Sequence, residues 1–257
     1  MVETSQVTTG WHDYFDGLKD QSPLYRVQAS VYVNSLRGAV GVRRHHRVLD
    51  FGCGFGLVPA LLAPLVAEIW WWEPSLNMRS AAARNTATFP NARFCDLSAM
   101  DSTATQEITW QGHGFDLILV NSVVQYMATE EVWRWLHQWR AMLASGGQVV
   151  LSDLIPPRHN SLSDVACLLR LGRRQGSALV AANQALGGIA SYWRTRHARP
   201  LTAISKTDLA RHAAAAEFDV TFLPANLTHF RQRWAAILRS PTSPIVCGPV
   251  ANAPVSG

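Results

Sequence analysis

Gly52, Gly54 and Gly56 stand at alternate positions directly after Val48-Leu49-Asp50-Phe51, and an apolar run able to open a helix begins at Leu57. Glycines at this spacing mark a strand-to-helix turn where the backbone comes close to a ligand, because a Cβ would block the approach. The pattern points to a ligand with a nucleotide end. A dinucleotide site needs its third glycine three residues after the second, so that helix and strand pack closely and the pyrophosphate rests on the helix N-terminus. That position is Leu57 here, and the Asp50 carboxylate sits where a pyrophosphate would be repelled. A cofactor carrying an ammonium and a sulfonium meets no such repulsion.

With these residues the chain resembles the class I S-adenosylmethionine-dependent methyltransferases. In that family the first strand ends in an acid followed by Gly-x-Gly-x-Gly, and the second ends in an acid that binds the ribose hydroxyls. Ile69-Trp70-Trp71-Trp72-Glu73 is similar to that second strand, and Phe94-Cys95-Asp96-Leu97 to the adenine-contacting segment after strand three. Phe115-Asp116-Leu117-Ile118-Leu119-Val120-Asn121-Ser122 resembles strand four, and Gly146-Gly147-Gln148-Val149-Val150-Leu151 the turn into strand five. The matches run in family order from about residue 46 to residue 153, and order is harder to obtain by chance than any one motif.

The resemblance implies an α/β fold: a doubly wound, seven-stranded, mostly parallel sheet with its last strand antiparallel. It also implies S-adenosylmethionine as cofactor and S-adenosylhomocysteine as product. Asp50 would hold the methionine amino group, directly or through water, while the amides of Gly52, Cys53, Gly54 and Gly56 face the ligand. Glu73, followed by Pro74, would accept from the ribose diol, for which a two-lobed carboxylate is suited. On this reading Glu73→Ala weakens the cofactor and leaves the fold intact. Met78 would pack on adenine or else fill the core, and Asp96 with the Leu97 amide would read the adenine edge. Asn121 and Ser122 fall at the carboxyl end of strand four, where ligands gather in open parallel sheets. From the N-terminal segment, Tyr14 would join the site and Arg26 would take the cofactor carboxylate bidentately or lie on the surface.

Alternating strand and helix signals argue for a parallel sheet covered on both faces. Strands are expected near 46–51, 68–73, 92–95, 115–121, 147–152, 218–223 and 233–238. The clearest helix is 130–143, where Val132, Trp135, Leu136, Trp139, Met142 and Leu143 fall on one face and Trp133 lies off the stripe. Three domains of behaviour follow. The resemblance implies a helical lid at residues 1–40 and a methyltransferase domain at 41–239 with a substrate cap inserted at 156–203, while 240–257 reads as a flexible, proline-rich tail. At 257 residues with 48% hydrophobic and 16% charged residues, the chain suits one globular unit. Its four cysteines lack metal-ligand spacing and read as reduced thiols, with Cys53 a small turn residue rather than a nucleophile. No metal is expected. Neither a signal peptide nor a membrane span is apparent, so a cytoplasmic location is expected.

Methyl transfer asks the protein mainly to hold an acceptor in line with the S–CH3 bond. A general base is needed only where the acceptor is protonated at neutral pH. His229, Tyr126 and His12 are the candidate catalytic residues, with Asp153 also near the mouth of the sheet; His229 would act as a base or serve as a loop histidine. The expected acceptor is a small molecule, anionic or apolar, because the chain has its own cap and no appended nucleic-acid module. O-, N- and C-methylation stay open. No DNA partner is expected, and an RNA methyltransferase is the alternative suggested by the net charge of +5. A non-catalytic module that binds the cofactor is the alternative of another class. Basic residues in the 160–199 cap, Arg170, Arg173, Arg174, Arg194, Arg196 and Arg199, suit an anionic acceptor, a membrane surface or solvent.

Overall fold

Alternation along the central strands sends successive side chains to opposite faces and so dictates two cores. In β1 (Arg47–Phe51), Leu49 and Phe51 enter one core while Val48 enters the other; in β4 (Phe115–Asn121), Ile118 and Val120 oppose Leu117 and Leu119 in the same way. A sheet apolar on both faces is buried only if helices cover both. This computed structural model, which describes residues 14–18, 23–97, 114–159, 161–174 and 201–241, has that arrangement.

The helices on one face are α1 (Pro23–Val40) and α2 (Leu57–Leu62), which contribute Tyr32, Val33, Leu36, Val58 and Leu62 to the core that holds Val48, Leu117 and Leu119. Helix α1 ends at Gly41, whose φ of 63° and amide bond to the Arg37 carbonyl (3.2 Å) close the last turn. The opposite face is covered by α4 (Thr129–Met142) and α6 (Lys206–Ala215). The stripe expected on α4 is buried: Val132, Trp135, Leu136, Trp139 and Met142, each contributing about 1.5–3 kcal/mol or more by leaving water. Trp133 is half-buried rather than free, stacked on His212 of α6 with ring centroids 4.1 Å apart.

Strands β2 (Glu68–Trp72), β3 (Ala92–Phe94), β5 (Leu143–Leu154), β6 (Asp219–Phe222) and β7 (Trp234–Arg239) complete a seven-stranded sheet of order β3-β2-β1-β4-β5-β7-β6. β1, β2, β3, β4 and β5 run parallel, and β7 is antiparallel to both β5 and β6. The expected strands are all present. β5 differs most, because it begins at Leu143 directly after α4 and includes the Gly146-Gly147 turn expected to precede it. The strand order reverses between β1 and β4, which places a ligand crevice at their carboxyl ends. Helix α3 (Leu76–Thr86) follows β2, and α5 (Ser161–Arg174) begins the expected cap. No helix among the described residues is long and apolar enough to cross a membrane.

Candidate active site

The turn after β1 is built by three glycines that do two different things. All have positive φ, at 73° for Gly52, 57° for Gly54 and 72° for Gly56, a region that costs other L-residues about 1–2 kcal/mol. A Cβ on Gly52 would lie 2.6 Å from Val123 Cγ2, and one on Gly56 2.6 Å from Ala82 Cα in α3. Only at Gly54 is the space open, the nearest atom being Met78 Sδ at 4.0 Å. The expectation that all three make room for a ligand is thus corrected: Gly52 and Gly56 admit protein, and Gly54 alone faces outward.

The amides are corrected likewise. Gly52 and Cys53 donate to the Trp72 carbonyl (2.9 and 3.0 Å), Gly56 donates to the Cys53 carbonyl (3.1 Å), and Gly54 donates to Glu73 Oε2 (2.8 Å). The turn offers a close backbone approach rather than a row of free donors. Burial pushes the Cys53 thiol well up, with Asp50 adding to the effect, in keeping with a small, unreactive residue.

Two buried carboxylates flank this turn. Asp50 is 3% exposed, and burial, then the neighbouring Glu73, pushes its carboxyl up to about 8. Glu73 is also raised by burial, a rise opposed by hydrogen bonds from the Ser75 and Gly54 amides. Glu73 Oε1 accepts from Ser75 N (3.0 Å) while Oε2 takes Gly54 N, so this side chain ties the glycine turn to the start of α3. Each oxygen keeps a second lone pair for a diol. Pro74 is half-buried between them, and Arg79 Nε holds the Glu73 carbonyl at 2.9 Å.

Met78 is buried against Phe55 and Ala81, with Phe15, Leu18 and Tyr25 packed on the group. It therefore serves the core and also underlies Gly54. Asp96 is exposed just past β3, whereas the Leu97 side chain is fully buried in the core below α4, leaving only its backbone for a ligand. Asn121 accepts from Ser152 Oγ (2.8 Å), and Ser122, at φ 58°, donates to Asp153 Oδ2 (2.7 Å). Both belong to a polar wall at the ends of β4 and β5.

Residues 14–18 cross the start of α3. Asp16 accepts from Ser75 Oγ and from Asn77 N (3.3 Å), and Asn77 Nδ2 donates to the Leu18 carbonyl (2.7 Å). Phe15 lies edge-on to Tyr126 (centroids 4.9 Å) and to Tyr14 (5.3 Å), so Tyr14 and Tyr126 are brought together through a residue the sequence did not single out. Tyr126 is half-buried in the 3-10 turn Val124–Tyr126. Arg26 is exposed on α1. His12, the cap beyond residue 174 up to 200, and the tail after 241 lie outside the described residues.

His229, between β6 and β7, packs its ring on Phe230 (centroids 4.0 Å), and its two ring nitrogens are buried without a hydrogen-bond partner among the described residues. Burial pushes its pKa down to about 4 even though the nearby Asp153 opposes the change, so the ring is neutral at pH 7. Around it lies a cluster legible only in part from sequence: Asp153, Asn226 and Thr228 with Arg233, Asp164 and His159. The signal for Arg233 was its place just before β7, beside the end of β5, but only pairing reveals that adjacency. No metal-binding group of His, Cys, Asp and Glu occurs among the described residues.

Residues 49–149 match the family described as "Methyltransferase domain". No curated protein matches the sequence significantly. Among solved structures, the N-methyltransferase NodS from Bradyrhizobium japonicum WM9 in complex with S-adenosylhomocysteine is 16% identical (TM-score 0.54, covering 91% of this chain and 98% of that one). Magnesium protoporphyrin IX methyltransferase ChlM from Synechocystis PCC 6803 with bound S-adenosylmethionine is 16% identical (TM-score 0.56, 93% and 100%). DhpI in complex with S-adenosylhomocysteine is 13% identical (TM-score 0.58, 92% and 98%). Such likenesses carry the fold alone, and the family match covers residues 49–149: the chain has the class I, Rossmann-like fold and, over that stretch, is similar to methyltransferase domains.

Proposed function

We propose that this protein transfers a methyl group from S-adenosylmethionine to a small-molecule acceptor. The observation that carries the reading is the pairing of buried Asp50 with an outward-open Gly54 at the sheet's switch point. A carboxylate raised to about 8 by burial is relieved by a cation, and the methionine ammonium is one. The residues present therefore fit the cofactor: Asp50 for the ammonium, Gly54 for close backbone approach, Glu73 for the ribose diol, and Met78 with the Leu97 amide for adenine. When bound, the cofactor supplies an already activated sulfonium methyl.

What remains for the chain is positioning and proton handling. The acceptor would lie against the wall of Tyr126, Ser122, Asp153 and His229, with residues 14–18 and helix α5 excluding water. For a hydroxyl acceptor the neutral His229 ring has a nitrogen able to take the proton as the oxygen attacks; for an amine no base is needed. The relatives' activities differ, one an N-methyltransferase and another acting on a magnesium porphyrin. The acceptor is therefore to be read from this chain's own wall.

Calorimetry with S-adenosylmethionine and S-adenosylhomocysteine tests the cofactor half. Binding of both is expected, with at least a tenfold loss in Asp50→Ala. Absence of binding of either would refute the reading. Transfer of labelled methyl to a panel of hydroxyl, amine and carboxylate acceptors, with RNA as a control, tests the acceptor half.

A further inference from the structure

Arg233 is an arginine placed where a fixed positive charge is expensive unless it is paired on every side. It is 7% exposed. Nη1 donates to Asp153 Oδ2 (2.8 Å), Nη2 donates to Asp164 Oδ2 (2.7 Å), and the guanidinium lies over the Phe230 ring (4.2 Å to the centroid). Burial works against the charge, but Asp153 and Asp164 outweigh it and raise the pKa above its ordinary value.

The two carboxylates come from different parts of the fold. Asp153 lies near the end of β5, is fully buried, and has a φ of 67°. Its Oδ2 also accepts from Ser122 Oγ (2.7 Å), and Oδ1 accepts from Asn226 Nδ2 (2.8 Å) and Thr228 Oγ1 (2.6 Å). Asp164 lies in the first turn of α5 and contacts His159 Nε2 at 2.9 Å. One guanidinium thus joins the carboxyl edge of the sheet to the cap helix. Ser122 and Asp153 are two of the three non-glycine residues with positive φ among the described residues. Such conformations persist only when surrounding contacts over-determine them.

Among the described residues, α5 also has a small apolar anchor. Leu171 packs with Leu24, Val27 and Val31 of α1 in a cluster separate from the two main cores. A helix at the edge of the fold, fastened among the described residues by this cluster and by the Asp164 contacts, opens locally at a lower cost than the sheet beneath it.

We propose that Arg233 is a positioning residue: its fork fastens cap helix α5 to the sheet and holds the Ser122–Asp153 wall in the geometry the acceptor meets. Calling that wall the acceptor's rests on the function proposed above; the fastening does not. Arginine is required because lysine offers a single point charge and cannot hold two carboxylates in a planar fork.

Hydrogen exchange of the full chain, read by mass spectrometry, tests this. Asp164→Asn removes the carboxylate charge from the α5 limb and from its His159 contact, weakening the limb, and leaves the Asp153 pair. It should raise exchange in 161–174 at least tenfold, with peptides covering β1 and β4 unchanged. Arg233→Lys should raise α5 exchange by a similar factor. Unchanged α5 exchange in Asp164→Asn, an equal rise throughout the chain, or full retention in Arg233→Lys would overturn the proposal. If Arg233→Lys fails to fold, Asp164→Asn still decides. S-adenosylhomocysteine affinity, measured on the same samples, should stay within twofold of wild type in Asp164→Asn, and a larger loss would count against a role confined to the cap. A wild type that binds no S-adenosylhomocysteine would sink the methyltransferase reading while leaving the exchange result standing.

Discussion

Gly54→Ala and Gly56→Ala differ by one methyl at neighbouring positions of one turn, and the structure separates their effects. Both alanines would hold a positive φ, near 57° and 72°, costing each about 1–2 kcal/mol. At Gly54 nothing is closer than 4.0 Å, so that is the whole cost to folding. At Gly56 the new Cβ would lie 2.6 Å from Ala82 Cα, 2.7 Å from its Cβ and 3.2 Å from its carbonyl oxygen. Backbone cannot rotate aside as a side chain can, so overpacking adds about 1–3 kcal/mol. Gly56→Ala should therefore lose about 2–5 kcal/mol in total and Gly54→Ala about 1–2 kcal/mol. Urea unfolding followed by tryptophan fluorescence reads this as a lower midpoint for Gly56→Ala. Ligand affinity should run the other way: on the proposed site the Gly54→Ala methyl would project into the cofactor's path, so S-adenosylhomocysteine binding by calorimetry should fall more than tenfold at a temperature where the variant is folded. Wild-type affinity in Gly54→Ala would show that the cofactor does not lie on this turn. Equal midpoints for the two variants would refute the packing argument.

Glu73→Ala, expected from sequence to spare the fold, should instead cost about 1–3 kcal/mol, since the buried Ser75 amide loses its acceptor, with a smaller loss at the half-buried Gly54 amide; denaturant midpoints check this, and Glu73→Gln, which retains one acceptor oxygen, should fall between. Asp50 holds its proton more tightly folded than unfolded, so without cofactor its contribution is complete below pH about 4 and is lost as pH rises to about 8. Asp50→Asn should flatten that decline, and cofactor affinity should rise over the same window in wild type; unchanged pH dependence in the variant would refute the assignment. His229 acts in the opposite sense: its lowered pKa means stability present above its ordinary value of 6.5 and lost as pH falls toward about 4. His229→Asn should reduce that acid sensitivity, measured by unfolding at pH 7, 5 and 4. If His229 is the base for a hydroxyl acceptor, the same variant lowers kcat by about 10²–10⁴-fold.

Much of the fold is written in local pattern. Period-two alternation in β1 and β4 and the 3.6-residue stripe on α4 each express which faces are buried, and burial is what those patterns record. The turn's Asp-Phe-Gly-x-Gly-x-Gly and the acid after β2 likewise name a cofactor, because their roles depend on backbone conformation within a few residues. What the motif could not assign was the division of labour among its glycines. Gly56 answers to Ala82 and Gly52 to Val123, neighbours supplied by other elements.

The polar cluster at the ends of β4 and β5 shows the same limit more strongly. Asp153 and His229 could be named as polar residues near strand ends, but nothing local to Asp164 or Arg233 announces that they meet. Sequence determined the sheet, its two covered faces and the cofactor turn, since these follow from periodicity and from conformations special to glycine. Only the tertiary structure decided which buried charges neutralise one another: the antiparallel pairing of β7 with β5 and the fold-back of α5 bring Arg233 between Asp153 and Asp164, and a charge so deeply buried has no stable place until both partners arrive.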